Sequence, residues 1–404
     1  MDPLHEPPGG PRPDAARFAP PVADLRRLRG RALLAGAVGL AACLAGYFTA
    51  PATLYRAWLV AFLFWSGVAA GCLAVAMLHH VTRGAWGLVI RRVLEAAART
   101  LPVAALLFVP VVLGLGDLYE WARPEAVAAD ELLRHKAPYL NPTFFLLRAA
   151  GYFLVWAAFA FLFDRLSQRQ DATGEPRLFR RMQTLAGPGI VAYGLTATLA
   201  SVDWLMSLDA RWYSSLHGLY FVIGQAVTAL AFVILVETWL ARRAPMAGVL
   251  QPRHLHDHGK LLLAFVMVWA YFAYSQFLII WSGNLPEETV FYHRRLHGGW
   301  QWLSLAVLVL HFALPFALLL SRDWKRAAGP LGAIAALVLG ARWLDLYWQA
   351  VPSLHPESAT FSWLDPAAML AVGGLWLAAF FHQLARRTLL PVNDPYIVEA
   401  LEHE

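Results

Sequence analysis

Residues 216–240 read LHGLYFVIGQAVTALAFVILVETWL, an almost unbroken apolar run whose acidic or basic residues are His217 and Glu237. A bilayer core about 30 Å thick needs roughly 20 apolar residues of helix to cross it, so this run is typical of a transmembrane helix. Further runs of similar length predict an all-α polytopic membrane protein with ten transmembrane helices. We predict the spans at 32–50, 57–78, 94–115, 143–163, 186–206, 216–240, 261–281, 300–320, 328–350 and 367–385.

The composition supports the same class. Of the 404 residues, 59% are hydrophobic and only 15% are charged, against about 25% charged in an ordinary soluble domain. The chain has two cysteines, Cys43 and Cys72, both inside apolar runs. This number excludes a disulfide scaffold and a cysteine-bound iron–sulfur cluster, and no C-x-x-C-H motif for covalent haem is present. Redox chemistry would therefore need a partner's cofactor, other ligands, or a lipid-soluble molecule.

The distribution of charge predicts the orientation. An N-terminus on the cytoplasmic side puts most of the 33 Lys and Arg residues on that side, as the positive-inside rule requires. Both termini are therefore expected in the cytoplasm. The net charge of +6 is then mainly a topology signal, so we predict no nucleic acid partner.

We divide the chain into three parts. Residues 1–30, rich in proline and arginine, are predicted to be a disordered cytoplasmic N-terminus. Residues 31–386 form the ten-helix transmembrane domain, and residues 387–404 form a cytoplasmic C-terminal tail. The pair Arg26-Arg27 before the first run also resembles a twin-arginine signal, but the length of the run and the charge bias favour a retained anchor.

Charged residues within the spans are functional candidates, because their burial in lipid is costly. Arg342 and Asp345 are three residues apart on a helix and share a face. One interpretation is an ion pair that fixes helix packing. The other is that Asp345 binds and releases a proton while Arg342 keeps the carboxylate ionised.

Further polar groups occur on spans six to eight. On span seven, Lys260, Tyr271 and Tyr274 fall on one helical face. His311, midway along span eight, is either a packing residue or part of a group that orders water. The predicted proton pathway consists of Asp257, Lys260, Glu237, Tyr271, Tyr274, His311, Arg342 and Asp345.

Three alternating histidines, His254, His256 and His258, surround Asp257 just before span seven. Imidazole and carboxylate ligands bind zinc, but a basic, titratable segment at the cytoplasmic membrane surface explains the pattern more simply, and we predict no metal site. The histidines inside the spans do not form two pairs at matched depths, so no haem is predicted either.

Three segments carry motifs that in combination resemble one family. Residues 201–209 read SVDWLMSLD, residues 269–288 contain WAY, YSQ and NLPEE, and residues 342–348 read RWLDLYW. On these motifs the chain resembles the ActF-type membrane subunit of bacterial alternative complex III, a quinol:electron acceptor oxidoreductase. This family is related to the NrfD-like, polysulfide-reductase-type membrane subunits.

The resemblance implies a fold and a set of partners. Spans two to five and six to nine would form two four-helix bundles, flanked by spans one and ten, in a bacterial inner membrane. The implied partners are an NrfD-like quinol-binding subunit, an iron–sulfur subunit, haem c subunits and a terminal oxidase, besides lipid. Haem c and iron–sulfur clusters would belong to the partners, and this chain would hold no covalently bound cofactor.

The implied role is a subunit of a respiratory electron-transfer complex that scaffolds its neighbours and conducts protons. An alternative is that this chain itself binds quinone or quinol. An outer cluster would then supply the acid and the histidine that a quinol site needs. The quinone-binding candidates are Asp203, Asp209, His217, Glu287 and Glu288. Another alternative is an independent secondary transporter, whose repeats would be the two bundles.

Overall fold

The apolar runs fold into ten helices that are long and apolar enough to cross a membrane, which confirms the predicted number. The structure, a computed structural model, describes residues 15–401. The helices are α1 Val22–Thr49, α2 Pro51–Thr82, α3 Ala85–Leu113, α4 Pro142–Thr173, α5 Pro176–Trp204, α6 His217–Leu240, α7 Pro252–Gly283, α8 Trp300–Leu320, α9 Ala328–Leu354 and α10 Leu364–Leu384. Shorter helices lie at Leu115–Leu118, Pro124–Ala129, Glu131–Lys136, Pro286–His293, Arg322–Arg326 and Ile397–Leu401. The chain is thus a multi-pass, all-helical protein of the integral membrane class.

Local sequence explains where the helices begin and break. Pro51, Pro142, Pro176 and Pro252 each open a helix, a position that suits proline because its missing N–H is not needed there. The third span is segmented into Leu88–Ala98, Leu101–Leu107 and Val109–Leu113, since Pro102 and Pro110 cannot donate backbone hydrogen bonds.

The helices α2 and α6 occupy the centre of the molecule. In their most apolar windows 89% and 78% of the residues are buried, against 22% in α7. Helix α6 packs against α2, α5, α7 and α9, whereas α1 packs mainly against α10. Because α2 and α6 also pack against each other, the division into two four-helix bundles stays a prediction.

The two ends of the bundle are distinguished by the chain termini. We call the end where α1 begins and α10 ends the terminal side, and the opposite end the distal side. On the terminal side the Leu389 N–H donates to the Phe18 carbonyl over 2.8 Å, so the segment after α10 lies against the residues that precede α1.

The predicted disordered N-terminus needs correction, and the structure adds detail to the C-terminal tail. Residues 1–14 of the predicted disordered N-terminus lie outside the described residues, but α1 already begins at Val22, so residues 22–30 are helical. Residues 387–401 pack on the bundle and end in a helix, with Leu389 and Leu390 buried; residues 402–404 lie outside the described part. Several helices, α2, α4 and α7 among them, also reach further than the apolar runs, because polar turns continue these helices beyond the lipid-length core.

Candidate functional site

The distal half of the bundle contains a buried carboxylate, Asp345 on α9, with donors on both oxygens. It forms an ion pair with Arg342 one turn earlier. The Tyr220 hydroxyl on α6 donates to one oxygen over 2.6 Å, and the Gln349 amide donates to the other over 3.0 Å. All four side chains are at least 97% buried. We call Tyr220, Arg342, Asp345 and Gln349 the Asp345 cluster.

A glycine makes room for this cluster. A Cβ atom at Gly224 on α6 would overlap the guanidinium of Arg342. The small residue therefore lets the backbone of α6 approach a charged side chain that would otherwise be excluded. The charge on Arg342 is thus accommodated by α6 as well as paired on its own helix.

Two histidines with unused ring nitrogens lie within electrostatic range of the cluster. His217 and His311 are 2% and 0% exposed, and the charges of Arg342 and Asp345 act on both rings. Among the described residues none of their four ring nitrogens has a hydrogen-bond partner. Buried polar atoms are normally paired, so these nitrogens are available to a water molecule or a proton.

The helix that carries His311 has an unusual turn. Residues Leu308–Ala313 form a π-helical segment within α8, and the His311 ring meets the Trp269 ring edge-on at 4.1 Å between centroids. Single π-helical turns are rare and occur often at functional sites, because the extra residue redirects a side chain. The turn makes His311 a candidate functional residue, although the packing interpretation stays open.

The terminal half of the bundle holds a second buried acid. His258 Nδ1 on α7 lies 2.8 Å from a Glu237 oxygen on α6, and His258 Nε2 donates to the Trp86 carbonyl over 2.7 Å. Both side chains are at most 1% exposed. Nε2 carries the proton that it donates to the carbonyl. A second proton lies either on Nδ1 or on the Glu237 carboxyl group, so this pair is chemically able to pass a proton.

Two more histidines adjoin this pair. The His79 ring packs edge-on to Trp86 at 5.3 Å and lies 5.6 Å from the His80 ring. Each has a buried Nδ1 that lacks a hydrogen-bond partner among the described residues. The sequence shows this pair only as adjacent histidines at the end of span two, and nothing in the spacing links them to His258.

A charged network closes the terminal side. Arg91 binds Glu95 over 2.9 Å and Asp394 over 2.7 Å, and Arg92 binds Glu95 over 2.6 Å. The network continues through ion pairs of Asp171 with Arg92 and of Asp164 with Arg99 and Arg387. We call these eight residues the tail network, because Arg387 and Asp394 belong to the C-terminal tail. Sequence spacing does not predict this network, because its members lie far apart along the chain.

Several predicted proton-pathway residues lie elsewhere. Asp257 and Lys260 pair with each other over 3.1 Å on the exposed surface. Tyr271 and Tyr274 are 65% and 62% exposed, so this face of α7 points away from the bundle interior. The structure brings Arg342, Asp345 and His311 near one another and pairs Glu237 with His258, but it does not bring the two tyrosines to either group.

The predicted quinone-binding residues have separate surroundings. Asp203 is fully buried, where Arg148 binds it with two hydrogen bonds and Tyr152 donates a third over 2.8 Å. Asp209 forms an ion pair with Arg294. Glu287 is exposed, Glu288 half-buried, and both lie in the first turn of the short helix after α7. Of the five, His217 is the residue with a free polar atom directed into the interior.

Arg211 links two acidic residues on the distal surface. This half-exposed side chain binds Glu120 and Asp130, each over 2.6 Å. The hydrogen bond from Arg211 lowers the pKa of Glu120. For Asp130 desolvation opposes the change, but hydrogen bonds from Arg211 and from the Leu132 and Leu133 backbone outweigh it and lower the pKa.

An apolar segment separates the two interior groups. Gly224 and Glu237 are thirteen residues apart on α6, which corresponds to roughly 20 Å of helix. Between them the buried side chains are apolar except Gln225, which accepts from the Tyr193 hydroxyl over 2.5 Å, and Thr228, which bonds its own helix. Transfer of a proton between the groups would need water molecules in this segment.

Neither models of known protein families nor the curated proteins give a match to this chain. A functional assignment therefore rests on the residues and contacts described above. Among the described residues, no three His, Cys, Asp or Glu side chains are grouped closely enough to hold a metal ion.

Proposed function

We propose that this chain is an integral membrane subunit of a quinol-oxidising respiratory complex of the alternative complex III type, which scaffolds its neighbours and carries protons. The partners would be an NrfD-like quinol-binding subunit, an iron–sulfur subunit and haem c subunits in a bacterial inner membrane. The termini would face the cytoplasm. The sequence resemblance supports this proposal, and the interior chemistry agrees with it.

The observation that carries the proton role is the Asp345 cluster. An acid buried among apolar helices costs free energy unless it is paired, and such residues often mark ion or proton pathways. Here the acid is paired, but His217 and His311 add four uncommitted nitrogens beside it. Acid, imidazole and hydroxyl groups near one another in the interior are the components of a proton relay.

The second buried group extends the proposed route toward the terminal side. The Glu237–His258 pair lies in the other half of α6 and α7, beside His79 and His80. In this proposal the two groups act in series, and water bridges the apolar segment between them. Tyr271 and Tyr274 take no part, because both face outward.

Co-purification tests the assembly. The tagged chain would be extracted from its native membrane in a mild detergent and analysed by haem absorbance, iron content and mass spectrometry. We expect haem c and iron–sulfur subunits to elute with it. Elution of the chain alone would contradict membership of a respiratory complex and favour an independent transporter.

Asp345→Asn tests the proton role in the purified complex. After reconstitution in liposomes, the variant should lose proton translocation while retaining much of its assembly, because the amide keeps the shape but not the charge. The unpaired charge of Arg342 is expected to lower its stability. Asp117→Asn, at an exposed distal position, is the matched control and should behave as wild type. Full proton yield at full turnover in Asp345→Asn would refute the pathway.

A further inference from the structure

A groove opens on the lipid-facing side of the molecule between α1 and α10 on one flank and α2 and α3 on the other. Its volume is about 530 Å³, which lies within the range of ligand sites. The wall is mainly apolar, and two polar side chains, Arg29 and His382, stand among the lining residues. The apolar lining includes Leu33, Leu40, Val103, Leu106, Val109 and Leu375.

Helix packing explains the groove. Helix α1 approaches α10 along glycines, since a Cβ at Gly39 would overlap the backbone of Ala371 and one at Gly374 would overlap Gly36. On the other flank α3 is interrupted at Phe108, where Leu106 and Val109 are 70% and 50% exposed. Close packing of α1 on α10 thus leaves α1 apart from the broken third span.

The dimensions indicate the kind of ligand. From Arg29 to Leu40 the groove follows eleven residues of α1, roughly 16 Å of helix. Half of a bilayer core is about 15 Å thick. The polar residues lie at the terminal-side end, and the apolar lining reaches toward the bilayer centre. A ligand with a polar head and a tail one leaflet long fits this arrangement.

The charge indicates the head group. Arg29 donates to His382 Nδ1 over 3.3 Å, and it has no carboxylate partner among the side chains that the structure describes. Arg26, Arg27, Arg31 and Arg386 add positive charge at the same end of α1 and α10. A guanidinium favours a phosphate because two of its N–H groups match two phosphate oxygens. Basic pockets between membrane helices bind anionic phospholipid head groups in this way.

We propose that this groove binds an anionic phospholipid, with its phosphate on Arg29 and His382 and an acyl chain along Leu33, Leu40 and Leu106. The lipid fills the gap between α1 and α3 and so connects the α1–α10 pair to the rest of the bundle. The proposal is independent of the proton role.

The test is native mass spectrometry of the purified protein with dioleoylphosphatidylglycerol, and with dioleoylphosphatidylcholine as the zwitterionic probe. We expect one phosphatidylglycerol to bind at least about tenfold more tightly than phosphatidylcholine, because the choline cation of phosphatidylcholine offsets the attraction between its phosphate and Arg29. Arg29→Gln/His382→Gln should abolish this preference. Arg26→Gln/Arg27→Gln removes more charge from the same helix outside the groove and should preserve it.

A second variant tests the acyl chain. Ala379→Phe fills the apolar wall without changing charge, and it should weaken phosphatidylglycerol binding while α1 remains in place. Equal binding of the two lipids, or equal losses in the groove variant and the Arg26/Arg27 control, would overturn the proposal. The first result would indicate a neutral occupant, and the second a diffuse electrostatic attraction.

Discussion

Replacing Glu95 by glutamine tests how strongly the tail network stabilises the bundle. Glu95 is 7% exposed and accepts from Arg91 over 2.9 Å, from Arg92 over 2.6 Å and from Ser167 over 2.8 Å. Glutamine has nearly the same volume, so the change leaves no cavity. It removes the negative charge between two guanidinium groups that are themselves at least 97% buried.

The expected loss follows from this burial. Removing one partner of a buried ion pair typically costs about 3–5 kcal/mol, because the other charge stays behind without compensation. Arg91 keeps Asp394 and Arg92 keeps Asp171, so we expect the lower end, about 3 kcal/mol. The control is Glu120→Gln, whose partner Arg211 is 47% exposed; pairs of this kind contribute at most about 1 kcal/mol.

Unfolding by increasing sodium dodecyl sulfate in mixed micelles measures both free energies, with tryptophan fluorescence as the signal. Glu95→Gln should shift the midpoint several times further than Glu120→Gln. Glu95→Asp keeps the charge and should recover part of the loss. Equal shifts for the glutamine variants would refute the claim that buried charge pairing holds the terminal side together.

Three further perturbations probe other contacts. Gly39→Leu should lower the unfolding midpoint because its side chain overlaps the backbone of α10, whereas Gly30→Leu has open space and should not. The carboxylates bound to Arg211 have lowered pKa values, so their contribution is present above the ordinary carboxyl pKa of about 4 and is lost as pH falls through the folded value. Amide hydrogen exchange in the segment between α3 and α4, which holds Glu120 and Asp130, should therefore speed up on acidification after correction for intrinsic rates. Arg211→Gln should remove this pH dependence of the exchange rate. Asp394→Asn releases the C-terminal tail from Arg91, so trypsin should cleave the tail several-fold faster than in wild type.

The sequence predicts the number of spans well because one physical quantity decides it. Crossing a bilayer requires a continuous apolar length, and each of the ten runs meets this requirement without regard to its neighbours. The helix ends are less predictable. Helix α4 continues to Thr173, well past the predicted 163, because Arg165, Arg169 and their polar neighbours are good helix formers even though they do not resemble lipid-embedded residues.

The sequence does not predict which face of a membrane helix points to the interior of the bundle. Periodicity correctly implies that Tyr271 and Tyr274 share a face with Lys260, and all three are exposed. Periodicity does not say whether that face meets neighbouring helices or lipid, because apolar residues occur on both sides of a membrane helix. The choice depends on packing against α6 and α8, which local sequence does not encode.

Contacts across long separations were missed for a related reason. Arg91 and Asp394 are 303 positions apart, and Arg92 and Asp171 are 79 apart. The sequence does contain one indication of these contacts, which is the number of charged residues around Glu95 inside an apolar span. Such charges imply buried partners, although not which ones.

Many buried charged residues of this protein belong to ion pairs or networks that have no net charge. Arg342 with Asp345, Arg148 with Asp203, and the balanced tail network each cancel charge locally. Cancellation lowers the cost of placing ions among apolar helices. His217 and His311 add ring nitrogens that have no hydrogen-bond partner among the described residues, so the proposed pathway rests on these imidazoles together with the paired acid Asp345.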